Sequence, residues 1–345
     1  MIRIKNIYYM LSYAFQTLNG KEYDRVSTEE FENTAELFSE ILTIGVSKQI
    51  KQGLVKDYID KTETTSSIRG KINISESIKE QSIIKRQLNC TYDEFSVNCY
   101  LNQIIKSTMN LLIKSDISRN RKKKLKNLLM YFREVDLIDV KDINWKIRFD
   151  RNNQTYKMLV GICYLTINGL LQSTSKGEAK LMNFLDDQRM SRLYEKFVLN
   201  YYIREHPEIR ASSSQIKWQL DDGNEFMLPK MQSDVYLEYE NKVLIIDTKY
   251  YSHTTQQYWG VNTVHSGNLY QIFTYVKNTT EELKGKDYLV SGMLLYARTT
   301  ESIQPDNEYM MSGNRISVKT LDLNRDFSEI RTQLDAIVNE NLIGD

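Results

Sequence analysis

Residues 233–251, SDVYLEYENKVLIIDTKYY, decide how the second half of this 345-residue chain must fold. Within it, 243–246 is a continuous apolar run rich in β-branched residues, the pattern of a strand covered on both faces. Such a strand should not run into Asp247, Thr248 and Lys249 without a reason, because charges at the end of a buried strand are costly unless paired or bound to a metal. A two-residue hairpin turn at Asn241 and Lys242 pairs Glu240 with Val243, Tyr236 with Asp247 and Asp234 with Lys249. Side chains alternate faces with period two, so Asp234, Asp247 and Lys249 share one face. Asp234 and Asp247 are then diagonal neighbours, roughly 7–8 Å apart at the backbone. Two carboxylates at that separation, with the Thr248 carbonyl as a third oxygen, suit a Mg²⁺ (or Mn²⁺) ion that keeps several waters. The chemistry expected of the set is phosphodiester hydrolysis without a covalent intermediate. The metal polarises the phosphate and acidifies a bound water, while Lys249 orients that water and offsets developing charge. An Asp-x12-Asp-x-Lys spacing by itself also arises by chance, and a structural ion pair is the competing reading.

The flanking sequence supports the catalytic reading. Residues 187–205 have helical periodicity, with Leu193, Phe197, Val198 and Tyr201 inward and Glu195 among them. Glu195 is then either a further carboxylate acting through water or a surface residue. Residues 268–276 predict a second helix, on which Gln271 and Tyr275 lie one turn apart. That face braces Lys249, touches a nucleic-acid backbone, or is structural. Strands expected at 215–220, 234–240, 242–251 and 288–296 complete an α/β domain with a mixed sheet flanked by helices.

The first half reads as an α+β domain, with helices over 4–18, 28–52, 97–115 and 158–171 and strands over 54–62, 68–74 and 88–92. The basic run RNRKKKLK, 119–126, is read as a solvated helix face in preference to a DNA patch, with Leu125, Leu128, Leu129 and Phe132 turned inward. The polar stretch QSTSKGEAK, 172–180, marks the boundary between a 1–180 domain and a 181–345 domain. Charge divides the same way: 1–180 sums to +8 and 181–345 to −7, giving the net +1 of the whole chain. Three cysteines without a CxxC pair exclude a disulfide framework or zinc ribbon. Three histidines leave little for a histidine-rich metal site, and His253 and His265, near the acidic set in sequence, are read as solvated. No apolar run reaches membrane-spanning length and no signal-peptide pattern opens the chain, so a cytoplasmic location is expected. No GxxxxGK[ST] loop is present, so any nucleotide energy must come from another polypeptide.

Several stretches together resemble the McrC family, the nuclease subunits of modification-dependent McrBC restriction systems. These are RIKNIYYMLSYAF, IRGKINISESI, CTYDEFSVNCYLNQIIKSTM, SRLYEKFVLNYY, LPKMQSDVYL, VLIIDTKYY and GNLYQIFTYV, in order along nearly the whole chain. The resemblance implies a PD-(D/E)xK (restriction-endonuclease-like) domain in the second half. Asp234, Asp247 and Lys249 are its catalytic set, Gln271 and Tyr275 lie on the following helix, and Ser233 stands where the motif has proline. It also implies a GTP-driven AAA+ partner of the McrB type, a hexamer that binds GTP and recognises modified double-stranded DNA. The 1–180 domain would enter that partner's ring and stimulate its GTPase; Arg69 and Lys71, beside the Gly70 turn, are the contacts expected there. A free-standing repair nuclease and a non-cutting regulator of an AAA+ ring are the alternatives.

Overall fold

Residues 243–246 are fully buried, and the strand that carries them lies inside a six-stranded sheet, as an apolar run without alternation demands. The computed structural model describes residues 2–149, 154–175, 187–251, 254–258 and 261–344. These form two units, Phe31–Phe184 and Met1–Glu30 with Leu185–Asp345. The chain begins with α1 (Ile4–Ala14) and α2 (Asp24–Thr28). The inserted unit holds α3 (Thr34–Gln52), β1 (Asp57–Thr65), β2 (Lys71–Ile72), α4 (Ile74–Lys79), β3 (Leu88–Ser96), α5 (Tyr100–Lys114), α6 (Arg119–Leu129) and α7 (Gln154–Ser175). The chain then returns through α8 (Asp187–Glu205), β4 (Arg210–Ser212), β5 (Gln215–Ile216), β6 (Met231–Gln232), β7 (Val235–Tyr239) and β8 (Lys242–Lys249). It ends with β9 (Thr255–Tyr258), β10 (Val261–Val264), α9 (Ser266–Glu282), β11 (Leu289–Ala297), β12 (Asn307–Met311), β13 (Asn314–Leu321) and α10 (Phe327–Val338).

In the 31–184 unit, β1 pairs with β3 along its whole length, and β2 adds a short edge through Lys71 opposite Thr91 and Ile72 opposite Cys90. The strand expected over 68–74 is therefore two residues long. Gly70 adopts φ +60° there, and a Cβ on it would lie 2.3 Å from the Thr91 carbonyl oxygen, so only glycine fits the turn. Helices α3, α5, α6 and α7 pack on one another. Leu125, Leu128 and Phe132 turn inward as their spacing predicts. The basic face is less solvated than expected, because Arg121 is buried and ion-paired with Glu36 and Glu40 of α3. Lys124 Nζ lies 3.3 Å from Glu40.

The other unit is built on the sheet β12-β13-β11-β8-β7-β4. Strands β8, β11 and β13 are parallel; β12, β7 and β4 run antiparallel to their neighbours. This is a mixed sheet flanked by helices, as expected. Ile272 and Val276 of α9 pack on Val243, Ile245, Leu294, Ile316 and Val318, while α8 packs on β7 and β8. Gly292 permits the approach of α9 to β11: a Cβ there would lie 2.6 Å from Val276 and 2.9 Å from Ile272. The first thirty residues, placed in a 1–180 domain from sequence, pack in this unit. Met10 and Leu11 of α1 are buried, α1 lies on α8, and Tyr9 stacks on Phe327 with ring centroids 4.3 Å apart. Residues 176–180 of the expected boundary lie outside the described residues.

The hairpin that orients the acidic set turns one residue earlier than expected. Tyr239 pairs with Lys242, so Glu240 and Asn241 form the turn, Glu240 at φ 51°. Tyr236 faces Ile245 and not Asp247. The pairing is offset by two residues, so each side chain keeps its expected face. Continuing the register sets Asp234 opposite Asp247, where the expected turn made them diagonal. The strand at 215–220 is only Gln215–Ile216, and β12, β13 and α10 complete the unit beyond the last element expected from sequence. Among the described residues no helix is long and apolar enough to cross a membrane.

Candidate functional site

The carboxyl end of β8 is where the chain gathers its charge. In open α/β sheets this end of the parallel strands is the usual place for a ligand. Period two puts Asp247 and Lys249 on the face of Val243 and Ile245, the face that α9 covers. Lys249 Nζ lies 2.6 Å from Asp247 Oδ2 and donates to Gln271 Oε1 at 3.0 Å. Gln271 Nε2 in turn donates to the Tyr275 hydroxyl at 2.9 Å. Four residues singled out in the sequence thus form one line, carboxylate, ammonium, amide and phenol.

Asp234 enters from the start of β7. Its Oδ2 accepts from the Thr248 N–H at 2.7 Å and from Thr248 Oγ1 at 2.8 Å. Thr248 therefore does something its sequence position did not suggest: it fixes the direction of the first carboxylate with two donors. Glu195 of α8 is half-buried and lies within electrostatic reach of the set. Burial raises its pKa above the usual glutamate range, and Asp234 and, more weakly, Asp247 add to the rise against Lys196 and Arg192.

Asp247 is the most perturbed carboxylate of the site. Burial pushes it up to about 6; the Lys249 ammonium opposes that rise and the Asp234 charge adds to it. Burial works against the Lys249 ammonium too, yet Asp247 outweighs it and holds the lysine above its ordinary range. Asp247 Oδ2 is fully shielded from solvent and faces the Lys249 ammonium at 2.6 Å. Two hard carboxylates brought to one strand end, one of them almost fully buried and with its proton affinity raised by that burial, fit a divalent cation of the Mg²⁺ or Mn²⁺ type. Among the described residues no three His, Cys, Asp or Glu converge into a metal cage, so such an ion would be held by Asp234, Asp247 and water, with Thr248 beside them.

A second polar group borders Lys249 and escaped sequence reasoning. Tyr296 is its register partner on β11, and the Tyr296 hydroxyl accepts from Asn268 Nδ2 at 2.8 Å. The Tyr251 hydroxyl donates to Asn268 Oδ1 at 3.3 Å. Asn268 stands three residues before Gln271 on the same helical face, and that spacing was the available signal. His265 stands at the N-cap position of α9 without a side-chain cap bond and is half-buried where a solvated ring was expected, 5.5 Å from the Tyr251 ring; His253 lies outside the described residues. Arg69 and Lys71 are exposed on either side of Gly70 in the other unit, Arg69 over the Tyr92 ring at 5.7 Å.

Fold and site define an α/β domain with a carboxylate–lysine centre at the ends of its central strands. The chain belongs to the family of McrBC 5-methylcytosine restriction system components, whose model matches residues 4–297. It is 26% identical over 348 residues to the type IV methyl-directed restriction enzyme EcoKMcrBC of Escherichia coli K12, covering 99% of both chains. Among solved structures it resembles a chain of the half-complex from the tetradecameric assembly of Thermococcus gammatolerans McrB AAA+ hexamers with bound McrC. There the identity is 16% and the TM-score 0.49, over 97% of this chain and 76% of that one. A cryo-EM structure of the Thermococcus gammatolerans McrBC complex matches over 58% of each chain, with 17% identity and a TM-score of 0.39.

Proposed function

We propose that this chain is the DNA-cutting subunit of a modification-directed restriction complex, a PD-(D/E)xK-type endonuclease that depends on Mg²⁺ or Mn²⁺. The observation that carries the reading is the line Asp247–Lys249–Gln271–Tyr275, closed on its other side by Asp234 held on Thr248. Asp234 and Asp247 would hold the cation, which when bound polarises the scissile phosphate and acidifies a water. Lys249 stays protonated beside Asp247, so it can orient the attacking water and offset negative charge as it develops on the phosphoryl oxygens. Gln271, anchored by Tyr275, keeps the ammonium from collapsing wholly onto Asp247. Glu195, its proton affinity raised by burial, would accept a proton from water.

Membership of the family supports a GTP-hydrolysing AAA+ partner of the McrB type, with modified duplex DNA as substrate and GTP bound by the partner. The 31–184 unit is the part of the chain to engage it. It exposes Ile68, Ile74, Ile78, Ile83 and Ile84 around Arg69 and Lys71, an apolar surface of the kind that marks protein interaction sites. The test is plasmid cleavage with Mg²⁺, with and without the candidate partner and GTP, on methylated and unmethylated DNA. Cutting that needs partner, GTP and methylation and is lost in Asp247→Ala supports the reading. Cutting by the chain alone favours a free-standing nuclease. Faster GTP hydrolysis by the partner without any cutting makes the chain a regulator.

A further inference from the structure

The residue before Asp234 is Ser233, where related motifs have proline, and it is fully buried. Its N–H donates to the Ser214 carbonyl at 3.0 Å. Its Oγ donates to that same carbonyl at 3.1 Å and accepts from the Ser214 N–H at 3.2 Å. Its own carbonyl accepts from Ser213 Oγ at 2.8 Å. Both main-chain groups and the side chain of Ser233 are therefore tied to residues 213 and 214. That dipeptide is itself anchored at both ends, since Ser212 pairs with Tyr236 in the main sheet and Gln215 with Gln232 in the β5–β6 ladder. Gln232 Nε2 adds donations to the Ser213 carbonyl at 3.2 Å and to Ser213 Oγ at 2.9 Å. Asp234 is the first residue beyond this clamp, and its carboxylate meets Thr248 on the far side.

We propose that Ser233 is a positioning residue that sets where the Asp234 carboxylate is presented to the divalent cation. The proposal rests on the nuclease reading above. Proline limits a backbone by fixing φ; serine here limits it by four hydrogen bonds to one dipeptide, so the two residues reach the same end by incompatible means. Proline at 233 has no N–H for Ser214, and its ring carbon would occupy the space through which that hydrogen bond runs. Restoring the motif's proline in this chain therefore moves Asp234 out of place. Ser233→Ala keeps the N–H, adds no bulk and removes only the two Oγ bonds, so it loosens the clamp without a clash.

The experiment is calorimetric titration of the full-length chain with Mn²⁺, with the folded state of every variant checked by circular dichroism at the titration temperature. Ser233→Pro is expected to weaken Mn²⁺ binding roughly 10- to 100-fold, the usual effect of losing a partner that orients a ligand, and Ser233→Ala to weaken it by less. Asp234→Ala is the control and should abolish the site. Wild-type Mn²⁺ affinity in Ser233→Pro overturns the proposal. Should that variant not fold, wild-type affinity in Ser233→Ala overturns it instead. Unchanged binding in Asp234→Ala sinks the nuclease centre itself, an outcome distinct from failure of the clamp alone.

Discussion

Replacing Arg121 with methionine should destabilise the 31–184 unit far more than the same change at the exposed Lys123 of the basic run. The Arg121 side chain is 8% exposed and its partners Glu36 and Glu40 are 9% and 2% exposed, so the group is nearly dry. Glu36 also accepts from the Ser118 N–H at the start of α6, and the guanidinium lies 5.1 Å from the Phe31 ring. Methionine fills much of the volume but leaves two buried carboxylates without their guanidinium. Breaking a buried pair in this way costs about 3–5 kcal/mol. For a unit of this size that is a fall in Tm of about 6–20 °C. Exposed Lys123, two residues along, should cost less than about 0.5 kcal/mol on the same substitution. Urea unfolding followed by circular dichroism separates the two. A combined Glu36→Gln, Glu40→Gln, Arg121→Met variant should recover most of the loss, because the two buried carboxylates that the guanidinium balanced are then neutral. The reasoning fails if Arg121→Met costs under about 1 kcal/mol, or if Lys123→Met costs as much as Arg121→Met.

Gly292→Ala should overpack the seam between α9 and β11, costing about 1–3 kcal/mol and slowing DNA cleavage by shifting the helix that carries Gln271; equal rates at equal folded fraction would refute the second half. Gly70→Ala should cost about 1–3 kcal/mol through its positive φ and its contact with Thr91, read as a lowered urea midpoint. Gln271→Leu removes one acceptor from Lys249 and should lower the cleavage rate roughly tenfold without changing Mn²⁺ affinity; a parallel loss of affinity would mean that Gln271 acts on the metal and not on the lysine. Chelation with EDTA should abolish cleavage, and added Mg²⁺ should restore it.

The acidic set was legible because period-two alternation and one uninterrupted apolar run constrain a strand strongly. The error in the hairpin shows why the reading survived. Asn241 and Lys242 looked like the turn because asparagine favours turns, yet Glu240 takes the left-handed conformation, and the two-residue offset preserved each face. The role of Thr248 toward Asp234 was not legible, since it depends on where the Asp234 carboxylate, fourteen residues earlier in the chain, meets the end of β8. The boundary at 180 failed at its other end: α1 is amphipathic, and amphipathicity says that a helix is covered without saying by what. The burial of Arg121 was hidden in a run whose composition reads as solvated, because its partners lie more than eighty residues earlier in the chain. Strands β12 and β13 and helix α10 carry no chemical motif that marks them in the sequence.

The insertion of 31–184 between α1 and its packing partners has a consequence for how the protein is made. Ribosomes add about 5–20 residues per second, so roughly 10–40 s separate the synthesis of α1 from that of the end of α8, and Phe327 follows later still. Through that interval the inserted unit can emerge and fold, while α1 has only residues 16–28 against it and lacks α8. Helix α1 is thus among the last of these elements to be seated, and its apolar stripe waits for α8 and Phe327 to be made.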